Sequence, residues 1–398
     1  MGQSPTVLAS PNFCYNRGMD NTQPIYLDYA SHTPPCPAAI EAFLRGEEAF
    51  TGNANARHRL GAVAGAEYSR VTQGIAALLG ASAPEENAGE IIYTTGASEG
   101  NALAIGGITT AYRHKGRHII ATPLAHPSEG GAISALAEEG YEISHVRLRE
   151  NGLIDLAHLA TLIRSDTILF CLSAVDSELG TVQPLEAVVK TIAPFENCHL
   201  HIDGAQAMGK IPMPPFGEMG RATLCGSAHK FYGVGGSGVL VKHPKIILDT
   251  PRHEGGTPAL GLACACYAAL EEGIREMDTR YACVTALRNR LEAALERYPL
   301  VRVNSPAPPV GSPYILNLSV AGVRGTAFRD ALNARGVCVS VKSACATDAS
   351  PSRGVLAVSD KVNALSAWRV SLSHLTTTRE IEEFLRIFDI CYRELTSQ

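Results

Sequence analysis

Two polar residues, each directly after an apolar run, could together hold a cofactor. Asp203 ends the run HLHID, and Lys230 follows the run ATLCGSAH. Because neighbouring parallel strands end at the same edge of a sheet, this carboxylate and this amine can meet there. The lysine could then form a Schiff base with pyridoxal 5′-phosphate (PLP), and the carboxylate could keep the pyridine nitrogen protonated. Taken singly, Asp203 could instead cap a helix, and Lys230 could be solvated.

Further segments carry the polar groups that a phosphorylated ring would need. TTGASEGNALAI places Ser98 between a strand and a helix, where backbone N–H groups and the helix dipole favour a phosphate. Ser227 and His229 could donate hydrogen bonds to the same phosphate. His126, in LAHPSEGG, follows another strand and could lie flat against a planar ring. The alternatives are an ordinary helix cap for Ser98 and a structural role for His126.

Cys345 lies in a polar stretch, VSVKSACATDASPSRG, directly after a strand-like run. Most free cysteines are small buried hydrophobic residues, and Cys338, inside the apolar run, fits that use. A thiolate in a polar loop is instead a nucleophile. Taken alone, Cys345 is compatible with either use.

The runs that must position these residues alternate with helical patterns between residues 38 and 262. Being apolar nearly throughout, they are typical of strands buried on both faces of a largely parallel α/β sheet. The strand candidates are EIIYTTG, RHIIATP, DTILFCLSAV, HLHIDGA, ATLCGSA and GSGVLVK. After Pro258, a long helix-compatible stretch leads to a smaller α+β domain. Its predicted elements are strand YILNLSV, a helix over residues 327–335, strands VCVSV and AWRVSLS, and a closing helix from Thr378.

Composition narrows the class of protein. The chain has 398 residues, 18% of them charged, and a formal net charge of −5, which does not suggest a nucleic-acid-binding surface. No apolar run approaches the roughly 18 residues of a membrane span, and the N-terminal segment lacks the pattern of a secretory signal. The 11 cysteines show no metal-type spacing. We therefore expect reduced thiols, no metal site and a cytoplasmic location.

In their order along the chain, these segments resemble fold-type I PLP enzymes of the class V aminotransferase group, most closely the cysteine desulfurases. The similarity runs through YLDYASHTP, GNANARHRLG, TTGASEGNALAI, HIDGAQAMGKIPM, SAHKFYG, SACAT and WRVSLSHLTT. It implies a large domain over residues 36–263 with a mainly parallel seven-stranded sheet. Residues 1–35 and 264–398 would form a smaller α+β domain that carries the nucleophile loop and a carboxylate-binding arginine.

The resemblance also implies roles for individual residues around PLP. Lys230 would be the Schiff-base lysine, Asp203 the partner of the pyridine nitrogen, and Gln206 a hydrogen-bond donor to the phenolic oxygen. His126 would stack on the ring and assist catalysis. The phosphate would be held by Ala97, Ser98, Ser227 and His229, and by Thr257 reaching from the other subunit. A homodimer with shared sites follows from the position of Thr257.

For the substrate, the resemblance implies that Arg369 pairs with the α-carboxylate of L-cysteine, a geometry that suits a guanidinium. Cys345 would take the substrate's sulfur as a persulfide, leaving L-alanine, and a sulfur-acceptor protein would then receive the sulfur. Thiolate character at Cys345 requires that burial does not raise its pKa.

Some positions depart from the family pattern. The segment VDSELG has Ser177 at a substrate-binding position where the family usually has asparagine, and the loop before Thr257 is shortened. These departures leave open a selenocysteine lyase, a C–S lyase or a class V aminotransferase acting on another amino acid. They also leave open a catalytically weak PLP-binding scaffold. Cys345 favours persulfide chemistry, because plain elimination and transamination need no nucleophilic thiol.

Overall fold

Buried apolar runs form most strands of the structure, a computed structural model that describes residues 24–82, 89–250, 257–342 and 350–397. In chain order the strands are β1 (Ile25–Tyr26), β2 (Glu90–Thr94), β3 (His118–Ala121), β4 (Glu142–His145), β5 (Thr167–Ser173), β6 (His199–Asp203), β7 (Ala222–Ser227), β8 (Gly238–Lys242), β9 (Val301–Val303), β10 (Ile315–Val320), β11 (Val337–Cys338) and β12 (Ala367–Ser371). The helices are α1 (Pro37–Ala49), α2 (Arg59–Leu78), α3 (Ala97–Tyr112), α4 (Pro127–Glu138), α5 (Leu156–Leu162), α6 (Leu185–Ile192), α7 (Leu260–Arg275), α8 (Met277–Leu295), α9 (Gly325–Asn333), α10 (Arg353–Val358), α11 (Lys361–Ser366) and α12 (Thr378–Thr396).

The large sheet contains seven strands in the order β2-β8-β7-β6-β5-β3-β4. β8 is antiparallel to both of its neighbours, and every other pair in this sheet is parallel. The predicted mainly parallel α/β sheet is therefore confirmed. β3 and β5 to β8 are buried along their whole length, as continuous apolar runs require.

β4 is a strand that the apolar-run criterion missed. Its sequence, EISH, is exposed at both ends, because β4 is the edge strand of the sheet and is covered less than the inner strands. An edge strand needs no continuous apolar run, so its sequence carries a weaker signal.

The second half of the chain forms a smaller antiparallel sheet in the order β12-β10-β9. Trp368 of β12 stacks on Phe328 of α9 at a centroid distance of 5.0 Å, and α12 covers both. The predicted strands YILNLSV and AWRVSLS and the closing helix are confirmed here, although α9 covers Gly325–Asn333 rather than residues 327–335. Of the predicted strand VCVSV, only Val337–Cys338 forms a strand, β11, and it pairs with β1 in a separate two-stranded sheet. The division into domains at residues 36 and 263 stays a prediction.

The long helix-compatible stretch after Pro258 is two helices. α7 ends at Arg275 and α8 begins at Met277, with Glu276 between them at ψ 5°. α7 packs against α1 and α2, whereas α8 packs against α12. The break therefore lets one stretch of sequence contact both halves of the molecule. No helix in the described part of the chain is long and apolar enough to cross a membrane.

The segment that follows β1 connects the two sheets. Asp28 forms a parallel bridge with Ser371 of β12, and Thr33 N donates to the carbonyl of His229, just after β7. Residues far apart in the sequence, at the ends of β7 and within β12, are thus brought to a common place.

Candidate active site

Lys230 occupies the single 3-10 turn, Ala228–Lys230, that follows β7. Its Nζ donates to the carbonyl oxygens of Ala30 and Ser31, at 2.8 and 2.7 Å. Just beyond it, Tyr232 adopts a φ of +66°, which costs free energy for a residue with a side chain. Hydrogen bonds hold Tyr232 there, from its N to Thr33 Oγ1 at 2.9 Å and between its Oη and Ser373 Oγ at 2.7 Å. The turn that carries Lys230 is therefore fixed by its surroundings.

Asp203 ends β6 and is almost fully buried. Its Oδ2 accepts a hydrogen bond from Asn101 Nδ2 at 2.9 Å, and its Oδ1 accepts one from Ala205 N at 2.9 Å. These two hydrogen bonds fix the orientation of the carboxylate. Asp203 can therefore present negative charge to a protonated ring nitrogen.

Asn101, on α3, connects Asp203 to His126, and the sequence reasoning did not single it out. Its second Nδ2 contact is to Ser128 Oγ at 2.9 Å, and Ser128 Oγ lies 2.8 Å from His126 Nδ1. Its Oδ1 lies 2.8 Å from His201 Nε2. Because the asparagine nitrogen donates to Ser128, the serine hydroxyl donates onward to Nδ1 of His126. The only signal in the sequence was its place in the first turns of the helix that starts at Ala97.

His126 caps the N-terminus of α4, and its Nδ1 also accepts from Ser128 N at 3.2 Å. Nδ1 is thus an acceptor, which puts the ring proton on Nε2. Burial, the largest cause, lowers the pKa of His126, with the Lys230 charge acting in the same direction. A neutral ring is the form that can lie against a planar aromatic cofactor.

Glu129 has a fully buried carboxyl group, and no sequence pattern indicated that it is buried. Its Oε2 accepts from Ser173 Oγ at 2.8 Å and from His126 N at 3.2 Å. Burial and the Asp203 charge raise its pKa to about 8, so it is mainly protonated at neutral pH. A neutral Glu129 adds no second negative charge beside Asp203.

The phosphate-binding candidates meet at the N-terminus of α3. Ala97 N donates to Ser227 Oγ at 2.6 Å, and Gly96 takes a φ of +154°, which suits glycine. Ser98 is exposed in the first turn of the same helix. His229 stacks on His32 with ring centroids 5.5 Å apart, and burial lowers its pKa to about 4. The structure thus brings Ala97 and Ser227 together at a helix end that attracts anions.

Gln206 lies beside the lysine. Its Nε2 donates to Ala30 O at 2.8 Å, the same oxygen that Lys230 Nζ contacts. The amide donor of Gln206 and the amine of Lys230 therefore lie side by side. The predicted contacts require this, because the phenolic oxygen and the aldehyde carbon of PLP are on adjacent ring positions.

Arg369, in the middle of β12, is 1% exposed. Its Nη2 donates to Asp28 Oδ1 and to Ser31 Oγ, both at 2.9 Å, and its Nη1 donates to the carbonyl of Ser177 at 2.6 Å. Its buried Nε has no hydrogen-bond partner among the described residues. The guanidinium is thus held in place, and its Nε–H is a donor available to a ligand. The contact at Ser177 is made by the backbone, so the structure supplies no contact for its side chain here.

Thr257 lies apart from these groups, and Cys345 is not among the described residues. The exposed Thr257 accepts from Asn53 Nδ2 at 3.1 Å, so its hydroxyl contacts none of the phosphate-binding candidates of its own chain. Of the flanks of Cys345, Lys342 Nζ donates to Ser350 Oγ at 2.8 Å. Among the described residues, no group of three or more His, Cys, Asp or Glu side chains could hold a metal ion.

The segment VDSELG forms a buried turn beside Arg369. Asp176 Oδ1 accepts hydrogen bonds from the N–H groups of Glu178, at 3.0 Å, and Leu179. Glu178 Oε2 in turn accepts from Ser352 Oγ and from Gly354 N, the latter at 3.2 Å. Burial and the Glu178 charge raise the pKa of Asp176 to about 7.

This buried acid predicts a pH dependence of stability. The unfolded chain ionises Asp176 above its ordinary pKa of 3.8, but the folded chain keeps it protonated up to about pH 7. Stability should therefore fall as the pH rises through that window, by on the order of 4 kcal/mol, since one pKa unit is worth about 1.4 kcal/mol. Asp176→Asn should remove this fall, because an asparagine does not ionise. The fold should be kept, because the amide oxygen can accept the same two hydrogen bonds.

Thermal unfolding midpoints measured across that pH window would check the prediction. The matched control is Asp360→Asn, in which an exposed aspartate that accepts from Asn363 N at 2.9 Å is changed in the same way. The control should keep the wild-type profile. An unchanged profile in Asp176→Asn would contradict the prediction.

Taken together, the donor set fits PLP. The buried carboxylate suits the pyridine nitrogen, and the amine with an amide donor beside it suits the aldehyde and its neighbouring phenolic oxygen. The neutral imidazole suits the planar ring, and the helix N-terminus suits the phosphate. The arginine adds a site for a substrate carboxylate.

Comparisons with known proteins identify the family of the chain. The class V aminotransferase family matches residues 25–257 and 248–384 of the chain. The NifS/IcsS protein homolog of Lactobacillus delbrueckii subsp. bulgaricus is 28% identical over 387 residues, covering 94% of this chain and 98% of the relative. The cysteine desulfurase IscS of Pectobacterium carotovorum subsp. carotovorum is 33% identical over 380 residues, covering 90% of each chain. The solved structure of a NifS-like protein matches with a TM-score of 0.84 at 24% identity, covering 92% of this chain and 99% of that one.

The chain therefore belongs to the class V aminotransferase family, whose members use PLP. Within that family, its identity to IscS over most of both chains makes it a member of the cysteine desulfurases. The resemblance seen in the sequence is confirmed, and the structural match confirms the fold-type I architecture.

Proposed function

We propose that the chain converts L-cysteine to L-alanine and transfers the sulfur to an acceptor protein through a persulfide on Cys345. The observation that carries this proposal is the position of Ser31 between two groups. Lys230 Nζ donates to Ser31 O at 2.7 Å, and Arg369 Nη2 donates to Ser31 Oγ at 2.9 Å. In an amino acid the carboxylate is bonded directly to Cα, so the base that acts at Cα and the guanidinium that binds the carboxylate must lie close together. Their shared contact with the single residue Ser31 meets this requirement.

The residues of the chain divide the work as follows. When bound, PLP withdraws electrons from Cα of an amino acid attached to it. Arg369 would hold the carboxylate, Lys230 would remove the Cα proton and later donate a proton, and Asp203 would hold the ring nitrogen of PLP. The Cys345 thiolate attacks the substrate's sulfur, so that the C–S bond breaks and an S–S bond forms. The electron pair of the broken C–S bond stays with Cβ, which takes up a proton, and Cα regains one as well. Alanine is then released, and Cys345 holds the sulfur atom as a persulfide.

We also propose a homodimer in which Thr257 serves the partner's phosphate site. Its exposure and its contact with the exposed Asn53 support this arrangement, because neither side chain is used at the site of its own chain. The free thiols among the described residues support a reducing location such as the cytoplasm.

Replacing Cys345 with serine tests the sulfur transfer. With PLP, L-cysteine and a thiol reductant, the wild type should form alanine and sulfide in equal amounts. Cys345→Ser should form both at least about 100-fold more slowly, since a hydroxyl does not take up sulfane sulfur. The measurement is the amount of alanine and sulfide formed over time.

The matched control is Cys283→Ser, because Cys283 is exposed and lies on α8, outside the site. It should keep the wild-type rate. Undiminished alanine formation by Cys345→Ser would contradict a persulfide at this residue. Pyruvate and ammonia in place of alanine would instead show a C–S lyase.

A further inference from the structure

Lys210 is a buried lysine for which the reaction described above has no use. It is 4% exposed and follows Gln206 by one turn of chain. Its Nζ donates to Gln206 Oε1 at 2.8 Å and lies 5.8 Å from the ring centroid of Tyr314. Within the described ranges it forms no ion pair, and the charged groups that face it are Lys230 and Arg369. A buried cation without a counterion costs stability, so an apolar side chain would serve a purely structural purpose better.

The contact with Lys210 fixes which way the Gln206 amide points. Its oxygen faces Nζ, which donates, and its nitrogen faces Ala30 O, which can only accept. Rotating the amide by half a turn would set two oxygens against each other at Ala30. The amide nitrogen has a second hydrogen, and it lies beside Lys230 Nζ because both contact the oxygen of Ala30.

We propose that Lys210 is a positioning residue that holds the Gln206 amide with its N–H groups toward the phenolic oxygen of bound PLP. The inference rests on the proposed role of Gln206 and deepens it. Without Lys210, only the contact with Ala30 O would hold the amide, so the rotated form, whose oxygen would face the negatively charged phenolic oxygen, would be more populated. The donor that neutralises the phenolic oxygen would then be lost for part of the time.

The first test removes the donor of residue 210. Lys210→Met keeps an unbranched chain without a donor, and it should weaken PLP binding by the apoprotein about fivefold to tenfold, the effect of a hydrogen bond to a charged group. The pH midpoint of the visible PLP absorbance should rise by about half a unit. Without its donor, the phenolic oxygen is more negative and holds more strongly the proton on the neighbouring nitrogen that links PLP to Lys230. Spectroscopic titration of apoprotein with PLP measures both quantities.

A double-mutant cycle separates positioning from packing. If Lys210 acts through the amide, Lys210→Met should change PLP affinity less than about twofold in a Gln206→Leu background. The cycle is best measured above about pH 8, because burial lowers the pKa of Lys210 to about 7 and its charge is then largely gone. Equal effects of Lys210→Met in both backgrounds, or no effect in either, would overturn the proposal.

A second variant keeps Lys210 and tests the donor itself. Gln206→Glu replaces the donating nitrogen by an acceptor of the same shape, and PLP affinity should fall at least about tenfold. This variant keeps the proposal testable even if Lys210→Met does not fold, and unchanged affinity would overturn it. The matched control is Lys242→Met, which removes a buried lysine that is paired with Glu90. Lys242 is the last residue of β8, at the end of that strand that lies away from the α3 N-terminus. PLP titrations require no turnover, so their outcome is independent of whether L-cysteine is the substrate.

Discussion

Lys230→Ala is expected to abolish the visible absorbance of bound PLP and to reduce alanine formation from L-cysteine by about 1,000-fold or more. The lysine is the amine that would attach the cofactor and the base that would act at Cα, so both functions are lost together. Its turn is fixed by Tyr232 and Thr33, so the backbone should keep its place when the side chain is shortened. The absorbance spectrum and a single-turnover assay for alanine check the prediction.

The matched control for this prediction is Lys242→Ala. Lys242, the last residue of the inner strand β8, is also a largely buried lysine, but it pairs with Glu90 at 2.8 Å instead of contacting Ala30 and Ser31. It should retain the visible absorbance and the wild-type rate. A Lys230→Ala protein that keeps both the absorbance and the rate would exclude Lys230 as the attachment point.

Arg369→Lys is expected to raise KM for L-cysteine by about 100-fold with a smaller change in kcat. A lysine keeps the charge but loses the fork of donors that can bind a carboxylate with two parallel hydrogen bonds. In this chain it would also lose either the Nη2 contacts to Asp28 and Ser31 or the Nη1 contact to the carbonyl of Ser177, because one ammonium cannot replace both guanidinium nitrogens. Steady-state kinetics that separate KM from kcat check the prediction.

The control keeps the chemistry of the substitution but moves it to the surface. Arg335 donates from Nη2 to both carboxylate oxygens of Glu394, at 2.7 and 2.6 Å; Arg335 is partly exposed and Glu394 is exposed. Arg335→Lys should leave KM unchanged, since exposed ion pairs contribute little and this one is far from the site. A wild-type KM in Arg369→Lys would mean that another residue holds the substrate carboxylate.

The sequence predicted those parts of the fold and site that follow from local pattern. Buried strands are continuous apolar runs, so β5, β6 and β7 were found, and residues such as Asp203 and Lys230 were placed by the strands that they follow. The edge strand β4 was missed because its exposure removes that pattern.

The missed side chains share a different cause. Asn101 contacts Asp203 across 102 positions of the sequence, and Asp28 contacts Arg369 across 341. No local periodicity records such a partnership, since it depends on how the strands are ordered in the sheet. Lys210 was hidden for the opposite reason, because a lysine after a turn ordinarily indicates a solvated side chain.

The amide of Asn101 has a consequence for where protons can travel. It hydrogen-bonds to Asp203 on one side and to Ser128, and through it His126, on the other. An amide nitrogen donates hydrogen bonds but does not release its protons, so no proton can pass along this chain between the carboxylate and the imidazole. The pocket is therefore divided into two compartments that do not exchange protons through Asn101. A change of protonation at His126 during turnover is therefore not passed to Asp203 as a proton through Asn101.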